Sequence, residues 1–258
     1  MRFVPVMRTD DCREGEFQVR RDARPYFIRR LIDFYIDFYT RHYLEPAFDA
    51  VGPGLSVSSP RNVEVWGGGI RIGAHLHLNA ARANMVRLAT WNNGTREGRI
   101  TIGDYVLISP GTHIVASESI TIGSNTMIAS GCYISDSDWH DTYDRTAEHG
   151  KHAPIIIEDN VWLGVKVIIG KGVTIGKNTI VGAGAVVTRS LPANCIAAGN
   201  PATVVRQLDP DGPFRLRETL FSAPDKTARD MDNLKRFMAR DNTLLSWLRS
   251  VWSPTRKD

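Results

Sequence analysis

The fold is decided by residues 157–187, which read IEDNVWLGVKVIIGKGVTIGKNTIVGAGAVV. An aliphatic residue returns at every sixth position of this stretch, at Ile157, Leu163, Ile169, Ile175, Val181 and Val187. A helix would repeat its apolar face after roughly three to four residues and a half-buried strand after about two. A period of six, usually with glycine next in the chain, instead predicts a short straight segment followed by a turn, and three such segments make one triangular coil.

The same register continues upstream of this stretch. Ile102, Ile108 and Ile114 keep it, and Ile122, Ile128 and Ile134 resume it after an offset of two residues. One coil cannot be stable alone, because its strands form hydrogen bonds only with the coils above and below. The pattern therefore predicts a parallel β-helix of roughly five to seven coils between about Val63 and Val204.

The flanks of the repeat have a different pattern. Aromatic and charged residues alternate between Pro25 and Phe48, which predicts an amphipathic helix that ends near Pro46. This helix would cap the open end of the β-helix or make a peripheral contact with a membrane surface or an acceptor. A second amphipathic helix is predicted from Asp225 to Trp252. We therefore expect an N-terminal segment over 1–62, a β-helix domain over 63–207 and a helical extension over 208–258.

Composition excludes several classes of protein. The chain has 258 residues, of which 23% are charged and 42% hydrophobic, so neither a disordered nor a collagen-like chain fits. No uncharged apolar stretch approaches about 18 residues, and the N-terminus lacks the apolar run of a secretory signal, so we expect a cytoplasmic protein without a membrane span. The net charge of +4 favours an anionic ligand over nucleic acid. Cys12, Cys132 and Cys195 lack metal-ligand spacing and are expected to be free thiols.

The repeat is interrupted between Ile134 and Ile157, where residues 135–154 read SDSDWHDTYDRTAEHGKHAP. A solenoid accepts insertions at its corners, and a polar loop on a rigid scaffold is a common place for a site. His140 stands nearest the end of the regular coil, and a neutral imidazole can remove a proton at neutral pH. A carboxylate on its other nitrogen would fix the tautomer, and the candidates are Asp138, Asp141 and Glu148.

The ordered motifs resemble those of the hexapeptide-repeat acyltransferases, in particular the galactoside and maltose O-acetyltransferases and related polysaccharide acetyltransferases. The resemblance covers roughly Ile70 to Gln207 and rests on four segments: 157–164, 172–176, 181–188 and 198–202. It implies a mainly β fold, a left-handed parallel β-helix with amphipathic helices at both ends. It also implies acetyl-CoA as acyl donor, a homotrimer and no required metal.

The resemblance assigns roles to single residues. The histidine before the Asn-Val-Trp motif is the general base in this family, which here is His140. The tryptophan of that motif, Trp162, would pack along the pantetheine arm of acetyl-CoA. Relatives often have Arg or Lys directly after the Pro-Ala pair, whereas this chain has Thr203. The other residues assigned to the donor groove or to its phosphates are Gly164, Val165, Lys166, Ala183, Thr188, Arg189 and Arg206.

The acceptor is the least specified part of the prediction. The segment from Trp91 to Glu97 interrupts the early coils, so Asn92 and Asn93, with Trp139, are candidate acceptor contacts; a plain excursion of the chain is the alternative. We expect acetyl transfer to a sugar hydroxyl. The alternatives are N-acetylation of an amino sugar, a non-catalytic scaffold, and a zinc-dependent β-helical carbonic anhydrase that would use His75, His77, His113 and His140.

Overall fold

The computed structural model describes residues 22–92, 94, 97–147 and 150–253. It divides the chain into two compact units. The larger is Phe34–Pro224, and the smaller combines the described residues up to Asp33 with those from Asp225 onward.

Short strands of two to five residues build the framework of the larger unit. In chain order they are β1 (Ala50–Val51), β2 (Ser56–Val57), β3 (Val63–Trp66), β4 (Ile70–Ile72), β5 (His77–Leu78), β6 (Val86–Thr90), β7 (Arg99–Ile102), β8 (Leu107–Ile108), β9 (His113–Ala116), β10 (Ser119–Ile122), β11 (Met127–Ile128), β12 (Tyr133–Ser135), β13 (Ile155–Ile157), β14 (Trp162–Leu163), β15 (Ile168–Ile169), β16 (Thr174–Ile175), β17 (Ile180–Val181), β18 (Val186–Val187), β19 (Cys195–Ala198) and β20 (Thr203–Gln207).

From β1 to β18, each strand forms hydrogen bonds with the strand three positions later in the chain, so the chain passes through three sheets in turn. Sheet 1 has the order β1-β4-β7-β10-β13-β16, sheet 2 β2-β5-β8-β11-β14-β17-β19-β20, and sheet 3 β3-β6-β9-β12-β15-β18. All pairs are parallel except β19 with β20. The predicted left-handed parallel β-helix is confirmed, with six coils that each contribute a strand to all three sheets.

The β-helix begins upstream of the expected boundary at residue 63. Strand β1 already pairs with β4, and the Asp49 carboxylate accepts a hydrogen bond from the Ile70 N–H at 2.8 Å. The period of six is present in this first coil, because Val51, Val57 and Val63 are six residues apart and Gly52 follows Val51. The sequence therefore contains the signal for this coil, and the expected boundary at residue 63 lies too late.

The core is a stack of the aliphatic residues that define the repeat. Ile102, Ile122, Ile157 and Ile175 lie above one another in sheet 1, and each is buried. Equivalent ladders run through sheets 2 and 3. Burying each such side chain contributes roughly 1.5–3 kcal/mol, so the stacked aliphatic residues account for most of the stability of the solenoid.

Asparagines form a second ladder at one corner, between sheets 1 and 2. Asn160, Asn178 and Asn194 all have positive φ, the left-handed conformation that Asn tolerates better than most residues. The Asn160 amide donates to Asn178 at 2.9 Å, and the Asn178 amide donates to Asn194 at 2.8 Å. The left-handed backbone conformation and the hydrogen bonds between asparagine side chains therefore stabilise the same corner of the coil.

Helices lie at both ends of the described chain. Helix α1 (Tyr26–Tyr39) runs into a π-helical turn (Thr40–Leu44) and a 3-10 turn (Glu45–Ala47), as the aromatic pattern predicts. The prediction of one continuous C-terminal helix from Asp225 to Trp252 is wrong. Two helices are present, α2 (Pro224–Ala239) and α3 (Leu244–Trp252), because the Thr243 side chain caps a new helix by accepting from the Ser246 N–H at 3.1 Å.

Two short 3-10 turns complete the described elements, at Pro60–Asn62 and Arg217–Phe221. Within the described residues, no helix combines the length and apolar character needed to cross a bilayer.

Candidate active site

The interruption in the repeat is a loop that leaves sheet 3 after β12 and rejoins the coil at β13 in sheet 1. Its two arms pair at the base, where Ser137 bridges His152 in antiparallel fashion. The Asp138 N–H donates to the Lys151 carbonyl at 2.9 Å, and the Ala153 N–H donates to the Asp136 carbonyl at 3.0 Å. The loop therefore has a fixed base, although its sequence lacks the repeat.

Asp136 fastens this base to the preceding coil. Its carboxylate is buried and accepts the backbone N–H groups of Ser117 at 2.7 Å and Glu118 at 2.8 Å. Burial raises the pKa of the Asp136 carboxyl, and these hydrogen bonds oppose that rise. Sequence reasoning missed this residue, since its partners lie 18 and 19 positions away in the chain.

His140 lies exposed on this loop, and its backbone is covered by Gly150. A Cβ atom at position 150 would lie 2.6 Å from the His140 carbonyl oxygen and 2.7 Å from its nitrogen. Only glycine fits so close an approach without displacing the backbone. In the described part of the chain, the His140 ring has no hydrogen-bond partner.

Two of the three carboxylates considered for orienting His140 are engaged elsewhere. Asp138 forms an ion pair with Lys171. Asp141 accepts the N–H groups of Asp144 at 3.0 Å and Tyr143 at 2.9 Å, and these bonds lower the pKa of its carboxyl. Glu148 lies outside the described residues. Asp138 thus joins the loop to the following coil and has no bond to His140.

Trp139 is held in an unusual conformation directly before His140. Its φ is 64°, in the left-handed region that bulky residues rarely occupy. Its indole Nε1 donates to the Ser135 hydroxyl at 3.1 Å, and its backbone N–H donates to the Ser137 hydroxyl at the same distance. Such outliers persist where neighbouring contacts fix them, and they concentrate at functional sites.

Trp139 closes one end of a trough on the outer face of sheet 3. The trough encloses about 550 Å³. We call it the indole trough, because three tryptophans form one of its sides. It is lined by Glu64, Trp66, Arg87, Ala89, Trp91, His113, Val115, Tyr133 and Trp139.

The charged groups in the indole trough are balanced. The Arg87 guanidinium donates to Glu64 Oε2 through Nε at 2.8 Å and lies 2.7 Å from it through Nη2. Burial, followed by the charge of Arg87, lowers the pKa of His113, so the imidazole is neutral at pH 7. The trough therefore offers aromatic surface and hydrogen-bonding groups without net charge among its lining residues.

The residues assigned to acetyl-CoA lie in the later coils. Trp162 lies on β14 and keeps 47% of its surface exposed. Gly164 follows at the corner between sheets 2 and 3, where a Cβ would lie 2.6 Å from the Ala183 backbone nitrogen. Val165 and Ala183 are exposed at this same corner in successive coils. Gly164 therefore allows the two coils to stack closely, and an exposed indole lies beside this corner.

The other residues predicted to contact acetyl-CoA are spread over several elements. Lys166 is exposed at this corner with a φ of 58°. Thr188 and Arg189 follow β18 in sheet 3, and Thr203 and Arg206 lie on β20 at the edge of sheet 2; all four are exposed.

The structure separates the candidate acceptor contacts. Trp139 lines the indole trough, whereas Asn92 pairs with Glu97 and accepts the Gly94 N–H at 2.7 Å. Asn93 lies outside the described residues. Sequence reasoning missed Trp66 and Arg87, although both occupy outward positions of strands whose inward neighbours are core aliphatics, and that alternation was the available signal.

The histidines considered for a zinc site are separated. His75 stacks on Tyr105 and Phe221, with ring centroids 5.3 and 4.6 Å apart, whereas His113 lines the indole trough. Over the residues that the structure describes, no group of three or more His, Cys, Asp or Glu is placed to hold a metal ion.

His140 and the Trp162 corner flank opposite edges of sheet 3. The strands of this sheet are parallel, so all of them end at the same edge, where the His140 loop leaves after β12. The corner that contains Gly164 leads into β15 and so lies at the edge where the strands begin. A single chain therefore places the predicted base and the predicted donor groove at opposite ends of the strands of sheet 3.

Comparison with known proteins agrees with the repeat. Residues 154–189 match the family model described as the hexapeptide repeat of succinyl-transferase. The chain is 42% identical over 119 residues to a polysialic acid O-acetyltransferase of Escherichia coli O1:K1 / APEC, which covers 44% of this chain and 38% of that protein.

Two proteins of E. coli strain K12 are also similar. A galactoside O-acetyltransferase is 40% identical over 98 residues, covering 37% of this chain and 48% of its own length. WcaF, whose name describes an acetyltransferase of colanic acid biosynthesis, is 35% identical over 111 residues, covering 42% of this chain and 59% of its own. The chain thus spans about half the length of these relatives. The resemblance to the hexapeptide-repeat acetyltransferases is confirmed, and the family model locates the repeat at residues 154–189.

Proposed function

We propose that this chain is an acetyl-CoA-dependent O-acetyltransferase that acts on a hydroxyl of a saccharide. The observation that carries the proposal is the position of His140, exposed on an anchored loop beside a trough with three indoles, on a β-helix whose sequence resembles acetyltransferases. Two of the similar proteins are named for saccharide acceptors, galactosides and polysialic acid.

His140 acts as the general base. Its imidazole takes the proton of the acceptor hydroxyl while the oxygen attacks the thioester carbonyl of acetyl-CoA. The carbon–sulfur bond then breaks, the proton passes from the imidazolium to the departing thiolate, and the products are the acetyl ester and CoA. Backbone N–H groups near the coil corner stabilise the oxyanion. Of the three carboxylates considered for orienting the ring, the geometry favours an anchoring role for Asp138.

Direct transfer is favoured over an acyl-enzyme on a cysteine. Cys132 is buried, its thiol donates to the Gly164 carbonyl at 3.2 Å, and burial raises its pKa to about 11. Cys195 is also buried and donates to the Pro192 carbonyl at 3.2 Å. A nucleophilic thiolate needs exposure and a lowered pKa, and neither described thiol has both.

We assign the donor to the corner between sheets 2 and 3. Trp162 would pack along the pantetheine arm, and Gly164 with the exposed Val165 and Ala183 would line the rest of the groove. Exposed cations near this corner and at the end of the β-helix would meet the phosphates of CoA: Lys166, Arg189 and Arg206. Thr203, at the position where relatives often carry a cation, adds no charge.

The separation of His140 from the Trp162 corner supports a homotrimer. In a ring of three chains, the edge of sheet 3 that carries His140 on one chain meets the donor corner of the next chain. Each complete site then draws its base and its donor groove from two chains. This arrangement explains how residues on opposite edges of one sheet serve one reaction.

The test of this function is acetyl transfer by wild type and by His140→Ala. Loss of the base is expected to lower kcat by about two to four orders of magnitude, measured as CoA release with a saccharide acceptor. His42→Ala removes an exposed histidine from the turn after α1 and serves as the matched control, with kcat unchanged. Equal turnover in His140→Ala and wild type would refute the assignment.

A further inference from the structure

The three tryptophans of the indole trough form a continuous row at one edge of sheet 3, in which Trp66 and Trp91 are exposed and Trp139 is partly buried. Trp66 is 58% exposed and Trp91 51%, and their ring centroids lie 6.4 Å apart. Trp91 lies 6.3 Å from Trp139, almost perpendicular to it. Apolar surface of this size left in water commonly marks a binding site.

The opposite side of the trough carries polar groups. Glu64, Arg87, His113 and Tyr133 are cross-strand neighbours in four successive coils. The small side chains of Ala89 and Val115, which lie in register with Trp66 in the next two coils, form the floor beside this polar row. The trough is thus amphipathic across its width, with ring faces along one side and hydrogen-bonding groups along the other.

We propose that the indole trough binds a neutral oligosaccharide of at least two linked rings, which runs from Trp66 to Trp139 and presents one hydroxyl to His140. A pyranose ring has an apolar C–H face that packs on an aromatic ring and hydroxyls at its rim that need donors and acceptors. The row of indoles provides successive stacking positions, and the Glu64–Arg87 pair provides both a donor and an acceptor. The inference rests on the proposed function, because the trough continues the acceptor site beside His140.

The charges among the residues that line the trough cancel, which favours a neutral ligand. Glu64 already neutralises the charge of Arg87, so an anionic saccharide would find no uncompensated positive charge among the lining residues and would lie close to a carboxylate. A nucleotide would need an unpaired cation for its phosphates, and the residues that line the trough provide none. A single sugar would cover one indole and leave the rest exposed, so affinity should increase with chain length.

Equilibrium binding without acetyl-CoA tests the proposal independently of catalysis. The probes are maltose, maltotetraose, β-1,4-galactotetraose and a sialic acid tetramer. Their binding to the full chain is measured by calorimetry. At least one neutral tetrasaccharide should bind, more tightly than maltose and more tightly than the sialic acid tetramer. Trp66→Ala should weaken that binding by about tenfold, the order expected when an aromatic stacking contact is lost.

Matched variants separate stacking from general damage. Trp66→Phe keeps a ring and should recover most of the affinity, whereas Trp252→Ala removes an 86% exposed tryptophan on α3 and should leave it unchanged. Failure of both neutral tetrasaccharides to bind would overturn the proposal. So would binding that Trp66→Ala leaves unchanged, or tighter binding of the sialic acid tetramer. If binding follows the prediction but no acetyl group is transferred, the proposed function fails and the saccharide site stands.

Discussion

At the scale of single residues, the site depends on how the backbone around His140 is fixed. Trp139 keeps a left-handed conformation because Ser135 and Ser137 bond to its indole and its backbone. Gly150 approaches the His140 backbone so closely that no side chain fits between them. These contacts hold the imidazole of an exposed loop in a defined place, which a general base requires.

Gly150→Ala is therefore expected to lower activity more than stability. The added Cβ would lie 2.6 Å from the His140 carbonyl oxygen, so the loop must shift and the imidazole moves with it. We expect kcat to fall by about tenfold to a hundredfold, while the urea midpoint changes little, because the loop adds few core contacts. Gly68→Ala is the control, since a Cβ there meets no atom within 4 Å. Equal kcat in Gly150→Ala and wild type would contradict the role of this close approach.

At the scale of elements, a short C-terminal turn stabilises the corner of the early coils. In the 3-10 turn Arg217–Phe221, the Arg217 guanidinium donates to the Tyr105 carbonyl at 2.8 Å. The Glu218 N–H donates to the Asn125 side chain, also at 2.8 Å. The charge of Arg217 also acts on His77 in β5, whose pKa is lowered first by burial and then by this charge.

This arrangement predicts that stability falls in mild acid. The folded chain holds the pKa of His77 below its usual value of about 6.5, so below that pH the unfolded chain binds more protons. The contribution of His77 to the free energy of unfolding is thus fully present above about pH 6.5 and is lost as the pH falls toward the pKa of His77 in the folded chain. Urea midpoints at pH 7.5 and 5.5 should differ less in His77→Gln than in wild type. The same difference in both proteins would contradict the role of His77.

At the scale of the whole molecule, we propose that the site is shared between chains. His140 and the Trp162 corner flank opposite edges of sheet 3, so a trimer brings the base of one chain to the donor groove of the next. If this is correct, two variants that are each defective should restore function when they assemble together.

Co-assembly of His140→Ala with Trp162→Ala chains tests this arrangement. In mixed trimers from equal amounts of both chains, about a quarter of the sites would combine an intact His140 with an intact Trp162. Transfer at limiting acetyl-CoA should therefore recover to about a quarter of the wild-type rate. If each chain holds a complete site, the mixture would show only the mean of the two variants.

Much of the fold could be predicted because a period of six puts each core residue at a fixed place in the coil. Ile157, Leu163 and Ile169 are buried as that period requires. The site could be predicted only in part, because its contacts cross coils. The partners of Asp138 and Asp136 lie 33 and up to 19 residues away, and the indole trough collects residues from four coils. The break between α2 and α3 depends on one cap at Thr243, which the apolar pattern does not reveal.

We propose above all that this β-helix moves an acetyl group from acetyl-CoA to a saccharide hydroxyl with His140 as base. The most direct measurement is mass spectrometry of neutral oligosaccharides after incubation with isotopically labelled acetyl-CoA and either wild type or His140→Ala. We expect a labelled acetyl ester, released by mild alkali, in the wild-type reaction and a loss of about two to four orders of magnitude in the variant. An alkali-resistant amide product, or equal labelling by both proteins, would contradict it.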